Sequence, residues 1–170
     1  MKKWIFFMLL GISIIYAECP DDWLEPEYIY DILTIEGNKA NLPIGLSHCV
    51  AYSESRFKPN ALSRRVQNYR SCGLMQLYRM YIGDLVADYF DGTYAEFNWK
   101  NPQHNAQVGC GYLAYLIKKF DGSVYLGVLA YTWGETNVRN MKKWSDVPPR
   151  CKTYTDQVMR LLDEYDGSWR

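Results

Sequence analysis

An all-α fold, or a mostly α fold with one small β-hairpin, is what this sequence predicts. Three observations carry the prediction. Apolar residues recur at helical spacing in several segments, caps and breakers fall at the ends of those segments, and strand-like alternation is scarce. A length of 170 residues has room for one domain. A hydrophobic share of 48% is ample for a core and excludes a wholly disordered chain.

The first segment stands apart. Met1-Lys2-Lys3 is a short basic start, Trp4 to Tyr16 is an apolar run of 13 residues, and Ala17 is a small residue at its end. This is the layout of a secretory signal peptide over residues 1–17, cut after Ala17. The run falls short of the ~20 apolar residues that a spanning helix needs. An uncleaved anchor is one rival. A lipid anchor at Cys19 is another, although Glu18 is unlike the small residue that lipidation prefers. All three place the domain, residues 18–170, outside the cytoplasm, periplasmic or secreted. Cleavage removes two Lys and no acid, leaving 153 residues with 17 cations against 19 acids. Neither the precursor nor the mature chain has the basic footprint of a nucleic-acid binder. Aromatic residues are abundant at 16%, with 15 Tyr.

Five Cys are present: Cys19, Cys49, Cys72, Cys110 and Cys151. In an oxidising compartment disulfides are expected. The odd count leaves one Cys free, lipidated or paired between chains, and the other four allow three connectivities. A metal site is the weaker reading. There is no C-x-x-C or H-E-x-x-H, and His48 and His104 share no ligand-like spacing.

The elements follow in order. Pro26 to about Glu36 predicts a first helix, closed by Gly37-Asn38. Pro43 suits the first turn of a second helix, with Leu46, Cys49 and Val50 on one stripe and an end near Ser55. Pro59 to Cys72 is polar and reads as a loop. About Gln76 to Tyr89 predicts a helix, Asp91-Gly92 a turn, and Thr93 to Lys100 an aromatic loop whose Tyr94, Phe97 and Trp99 pack over the core or, as the weaker reading, stack on sugar rings. Gly109, Tyr112, Leu113, Leu116, Ile117 and Phe120 share one face of a helix from Pro102 to Phe120. Asn101-Pro102 caps and starts it, and Asp121-Gly122 stops it. Ser123 caps a short apolar helix to about Tyr131. Pro148-Pro149 breaks the chain, and Thr153 to Tyr165 is the last helix, with Tyr154, Val158, Leu161, Leu162 and Tyr165 in register.

Chemistry points to Glu54. Cleaving a glycosidic bond needs a carboxylic acid that stays protonated near neutral pH. Burial raises a carboxyl pKa, and the negative end of a helix dipole pushes the same way. Glu54 falls at the end of the second helix. An arbitrary Glu there would be a solvated helix end. The surrounding residues lift it above that reading.

Glu54-Ser55-Arg56-Phe57 resembles the E-S-x-F signature of the soluble lytic transglycosylase catalytic domain, a family related to goose-type lysozyme. Ser71-Cys72-Gly73-Leu74-Met75-Gln76 is similar to that family's S-x-G-L-M-Q block. Asn101-Pro102-x-x-Asn105-x-x-x-Gly109-x-x-Tyr112-Leu113 resembles its next helix, and Ala130-Tyr131-Thr132-Trp133-Gly134 its A-Y-N-x-G segment. G-L-M-Q alone occurs by chance in about one chain in a thousand of this length. The resemblance spans about residues 26 to 165.

That resemblance implies a lysozyme-like single domain and a reaction. Such enzymes cut the β-1,4 bond between N-acetylmuramic acid and N-acetylglucosamine in peptidoglycan without water, leaving a 1,6-anhydro end. Glu54 is then the sole general acid and base, in contrast to the two-carboxylate scheme of most glycosidases. Asp84, Asp88, Asp91 and Glu96 sit in no recognisable motif. Ser71 and Gln76 would contact sugar or orient Glu54. Gly73 would let backbone approach the glycan, Met75 would line the groove, and Tyr131 and Tyr154 would place hydroxyls near the carboxyl. Thr132 departs from the family's Asn and puts that contact in doubt. No cofactor and no metal is implied. The partner is the glycan strand, in the setting of a secretion or conjugation apparatus or of a phage. The rival readings are a hydrolase on the same fold and a catalytically silent glycan-binding or assembly protein.

Overall fold

A long central helix with an apolar face on several sides organises the chain. The computed structural model describes residues 26–65 and 68–165. The expected signal peptide and Cys19 lie outside the described residues. Helix α1 is Pro26–Lys39 and α2 is Leu46–Ser55. A two-stranded antiparallel hairpin follows, β1 Ser71–Cys72 and β2 Leu77–Tyr78. Then come α3 Ile82–Tyr89, α4 Pro102–Lys119, α5 Val124–Trp133, α6 Glu135–Asn140, one 3-10 turn at Trp144–Asp146, and α7 Pro149–Asp163. The architecture is mostly α with one small hairpin. No helix among the described residues is long and apolar enough to cross a membrane.

Helix α4 packs against α1, α3 and α5, and α5 in turn against α6 and α7. Its start is fixed by Asn101, whose side chain accepts hydrogen bonds from the Gln103 and His104 amides at 2.9 and 3.4 Å. Pro102 is the first helical residue, where its missing N–H costs nothing. Ser123 caps α5 in the same way, accepting from Leu126 N at 3.2 Å. Three apolar clusters result. The largest gathers Leu33, Leu46, Val50, Leu113 and Val128 between α1, α2, α4, α5 and α7. A second lies around Leu116, Leu129 and Val147. The third, with Leu77, Val86 and Val108, underlies the hairpin and takes Phe97 and Trp99 from the aromatic loop, while Tyr94 stands exposed.

The structure moves several expected boundaries. Helix α1 runs through Gly37-Asn38 to Lys39. Helix α2 starts at Leu46, not Pro43, because Pro43 to Leu46 closes as a turn with Leu46 N–H donating to Pro43 O at 3.0 Å. The segment expected to be helical from Gln76 begins instead as the hairpin, and only Ile82–Tyr89 is helix. Gln76 itself has φ 51°, which an α-helix does not contain. Helix α7 starts at Pro149, earlier than Thr153.

Disulfides are a further correction. Cys49, Cys72, Cys110 and Cys151 are all buried and all free thiols. Cys49 and Cys110 lie in the largest cluster, Cys72 under the hairpin and Cys151 in the second cluster. Burial pushes the Cys49 and Cys72 thiols up to about 12 and about 11. They act as small apolar side chains.

Candidate functional site

Three packing events bring the site together. Helix α2 ends at Ser55, and the chain turns at once through two left-handed residues, Arg56 at φ 54° and Phe57 at φ 60°. Each such non-glycine residue costs about 1–2 kcal/mol. Local contacts offset that cost. The Phe57 ring meets Tyr30 edge-on at 5.0 Å and Tyr52 at 5.5 Å. The Arg56 guanidinium lies 4.1 Å from the centre of the Tyr52 ring. The Ser55 hydroxyl donates to Ala51 O and accepts from Lys58 N, which closes the helix end. In the Glu-Ser-x-Phe segment, Ser55 and Phe57 thus hold the turn that presents Glu54 from the last turn of α2.

Helix α7 packs on α2 and delivers the first partner. The Tyr154 hydroxyl donates to Glu54 Oε1 at 2.6 Å. Among the described residues no cation pairs with this carboxyl. Burial dominates its titration and pushes it from 4.5 up to about 7, opposed by the Tyr154 hydrogen bond. No other carboxylate contributes to the shift. Tyr131 and Tyr154 are themselves pushed well up, first by burial and then by the charge on Glu54. Both stay protonated and available as donors. The site is a half-buried acid with phenols about it, able to hold a proton near neutral pH.

The hairpin supplies the third part, and its turn is clamped from two sides. Met75 N–H donates to Asn105 Oδ1 at 2.7 Å, and Met75 O accepts from the Tyr131 hydroxyl at 2.8 Å. Asn105 Nδ2 donates to Cys72 O and Trp99 O at 3.2 and 3.1 Å. Gly73 has φ 80°, and a Cβ there would stand 2.0 Å from Asn105 Nδ2 and 2.6 Å from Trp99 O. Only glycine fits that approach. Where α4 crosses beneath, a Cβ on Gly109 would lie 2.5 Å from Met75 Sδ.

The expected site residues therefore separate. Glu54 and Tyr154 meet directly. Tyr131 reaches the hairpin turn and feels the Glu54 charge. Gln76 Nε2 donates to Ala61 O and Gly73 O at 3.0 and 2.9 Å, so its amide serves the turn. Ser71 lies on β1, opposite Tyr78, with its N–H donating to Ser63 Oγ. Met75 is a correction to groove lining: its side chain is 0% exposed and packs on Gly109 and Cys110. It offers the site its backbone. Asn105 is the residue that sequence reasoning passed over. Its signal was a polar side chain on the apolar face of α4, fully buried in the fold. No group of His, Cys, Asp or Glu among the described residues could hold a metal ion.

Comparison with known proteins gives the family and the fold. Residues 32–148 match the family described as Transglycosylase SLT domain. The fold is similar to an inactive glutamate-to-glutamine mutant of the lytic transglycosylase Slt from Pseudomonas aeruginosa, at 20% identity and a TM-score of 0.68 over 81% of this chain. It is also similar to the 70 kDa soluble lytic transglycosylase of Escherichia coli, at 19% identity and a TM-score of 0.67 over 78% of this chain. The chain spans about a quarter of either structure, 24% and 23% of their lengths. Among curated proteins none matches by sequence.

Proposed function

The chain belongs to the transglycosylase SLT domain family, and from that footing we propose that it is a peptidoglycan lytic transglycosylase with Glu54 as its single acid and base. The observation that carries the reading is the Glu54 carboxyl: half-buried, pushed up to about 7, and partnered by a phenol instead of a cation. Such a group holds its proton in the free enzyme and can give it to the oxygen leaving a sugar C1. The carboxylate then accepts the proton of the muramic acid C6 hydroxyl as that oxygen attacks C1. The C1–O4 bond breaks, the C1–O6 bond forms, and the proton returns to Glu54. One carboxyl suffices.

Tyr154 holds Glu54 in place and steadies its anion. Tyr131 and Asn105 hold the hairpin turn that would form one wall of the glycan groove. Ser71 and Gln76 are proposed to face the sugar from that wall, while Gly73, buried against Asn105 and Trp99, shapes the turn behind it. Residues 1–17 are proposed as a signal peptide that sends residues 18–170 to the wall, where a secretion or conjugation apparatus or a phage would use local cutting.

The test is the mass of the products of digested peptidoglycan. Transglycosylation yields muropeptides lighter by one water with no reducing muramic acid. Reducing ends would overturn the reading in favour of a hydrolase. Equal wall clearance by wild type and Glu54→Gln would remove Glu54 from the chemistry.

A further inference from the structure

Between Glu54 and Asp84 the chain carries six Lys or Arg and no acid. In a sequence whose charges cancel, this is a local concentration. The fold aligns half of it. The hairpin sets Ser71 opposite Tyr78 and Cys72 opposite Leu77. Arg70 and Arg79 therefore stand opposite each other at its open end, joined by Arg79 N–H donating to Arg70 O at 3.0 Å. On the other side of β1, Leu62 bridges Cys72, and Ser63 N–H donates to Ser71 O. That register brings Arg64 level with Arg70. Arg64 and Arg79 are exposed and Arg70 is half-buried.

None of the three forms an ion pair among the described residues. Like charges directly opposite destabilise a strand pair, and a two-stranded ribbon has little stability of its own. Among the described residues no acid offsets that cost, and an anion laid across the row removes it. Tyr69, Tyr78 and Tyr81 adjoin the row edge-to-face, with ring centres 6.2 and 5.8 Å apart. Tyr69 and Tyr81 are about half exposed and offer amphipathic contact area.

We propose that Arg64, Arg70 and Arg79 bind the carboxylates of the peptide stems carried by the glycan strand. The inference rests on the transglycosylase reading above and names which part of that substrate the hairpin recognises. Charge complementarity selects a carboxylate, which the guanidinium fork grips with two parallel bonds. Position selects the stem. The row stands three residues beyond Gly73 and Gln76 on the two strands, about 10 Å from the turn at ~3.3 Å per residue. Three extended residues of a stem on the sugar at Glu54 span the same ~10 Å.

Binding in the Glu54→Gln protein tests this without cleavage. The probes are purified glycan strands bearing peptide stems and the same strands stripped of stems by an amidase. Stemmed strands bind about tenfold more tightly at low salt, and the added Arg70→Gln and Arg79→Gln changes bring that ratio below about threefold. Should the triple variant fail to fold, Arg64→Gln alone, outside both strands, lowers the ratio about threefold. A ratio near one in the parent, or one untouched by either change, overturns the proposal. An acidic protein as the true occupant gives that equal binding. If wild type releases no anhydro ends while the ratio holds, the reading of the activity fails and the surface stands. The reverse pattern removes the surface alone.

Discussion

Two glutamates on neighbouring helices, one buried and one half-buried, meet contrasting partners. Glu36 on α1 is 3% exposed, and its Oε1 takes the Lys39 ammonium at 2.8 Å together with the Gln103 amide. Glu54 on α2 has one phenol, Tyr154, and no cation among the described residues. Both sit on helices around the same apolar cluster. Burial alone does not prepare an acid. A carboxyl withdrawn from water with only a hydroxyl for a partner retains its proton to higher pH. The fold confines that condition to the place where a helix ends and a hairpin turn is clamped nearby.

The comparison breaks first on activity. Glu54→Gln should lower kcat on peptidoglycan by about a thousandfold or more, the size expected for loss of a general acid, with the far-ultraviolet circular dichroism unchanged. Glu36→Gln should stay within about threefold. Similar losses in both would erase the distinction.

Stability against pH sharpens it next. The folded state of Glu54 holds a proton that the unfolded chain releases above about 4.5. Its contribution is whole below that pH and is lost as pH rises through about 7. A rise from 4.5 to about 7 corresponds to roughly 3 kcal/mol. Urea melts at pH 4 and pH 8 should therefore show Glu54→Gln gaining about 3 kcal/mol on wild type between the two. An equal gap at both pH values would refute the raised Glu54 acid.

A smaller effect is expected from Tyr154→Phe. The Tyr154 hydrogen bond favours the Glu54 anion, so its loss raises the carboxyl further. The alkaline limb of the kcat/KM profile, set by deprotonation of Glu54, should move up by about one pH unit, with kcat down roughly tenfold. A limb left in place would mean that the phenol does not act on the acid.

Much of this was legible in the sequence, for reasons that differ by element. Helix α4 is read almost to the residue because Asn101-Pro102 and Asp121-Gly122 are local signals. Helix α7 starts earlier than expected because Pro149, read as a breaker, serves as a first helical residue. The hairpin is hidden: strands of two residues carry no periodicity, and Gln76 bonds carbonyls of its own loop. Helix α6, with six residues, is equally silent. Glu54 and Tyr154 stand 100 residues apart and are found through motifs, not spacing. Asn105 was visible as a motif letter without a role, since its partners at Cys72 and Met75 lie 33 and 30 residues away. The thiols misled because expected export argues for disulfides, while only the fold shows the four described ones buried and unpaired with each other.

The most direct test is the titration of the Glu54 side-chain carboxyl itself. Carbon-13 NMR of the labelled protein, with Glu54→Gln to assign the signal, reads it without substrate. A midpoint near 7 is the predicted result. A midpoint near 4.5, the value of an ordinary solvated glutamate, would contradict the account.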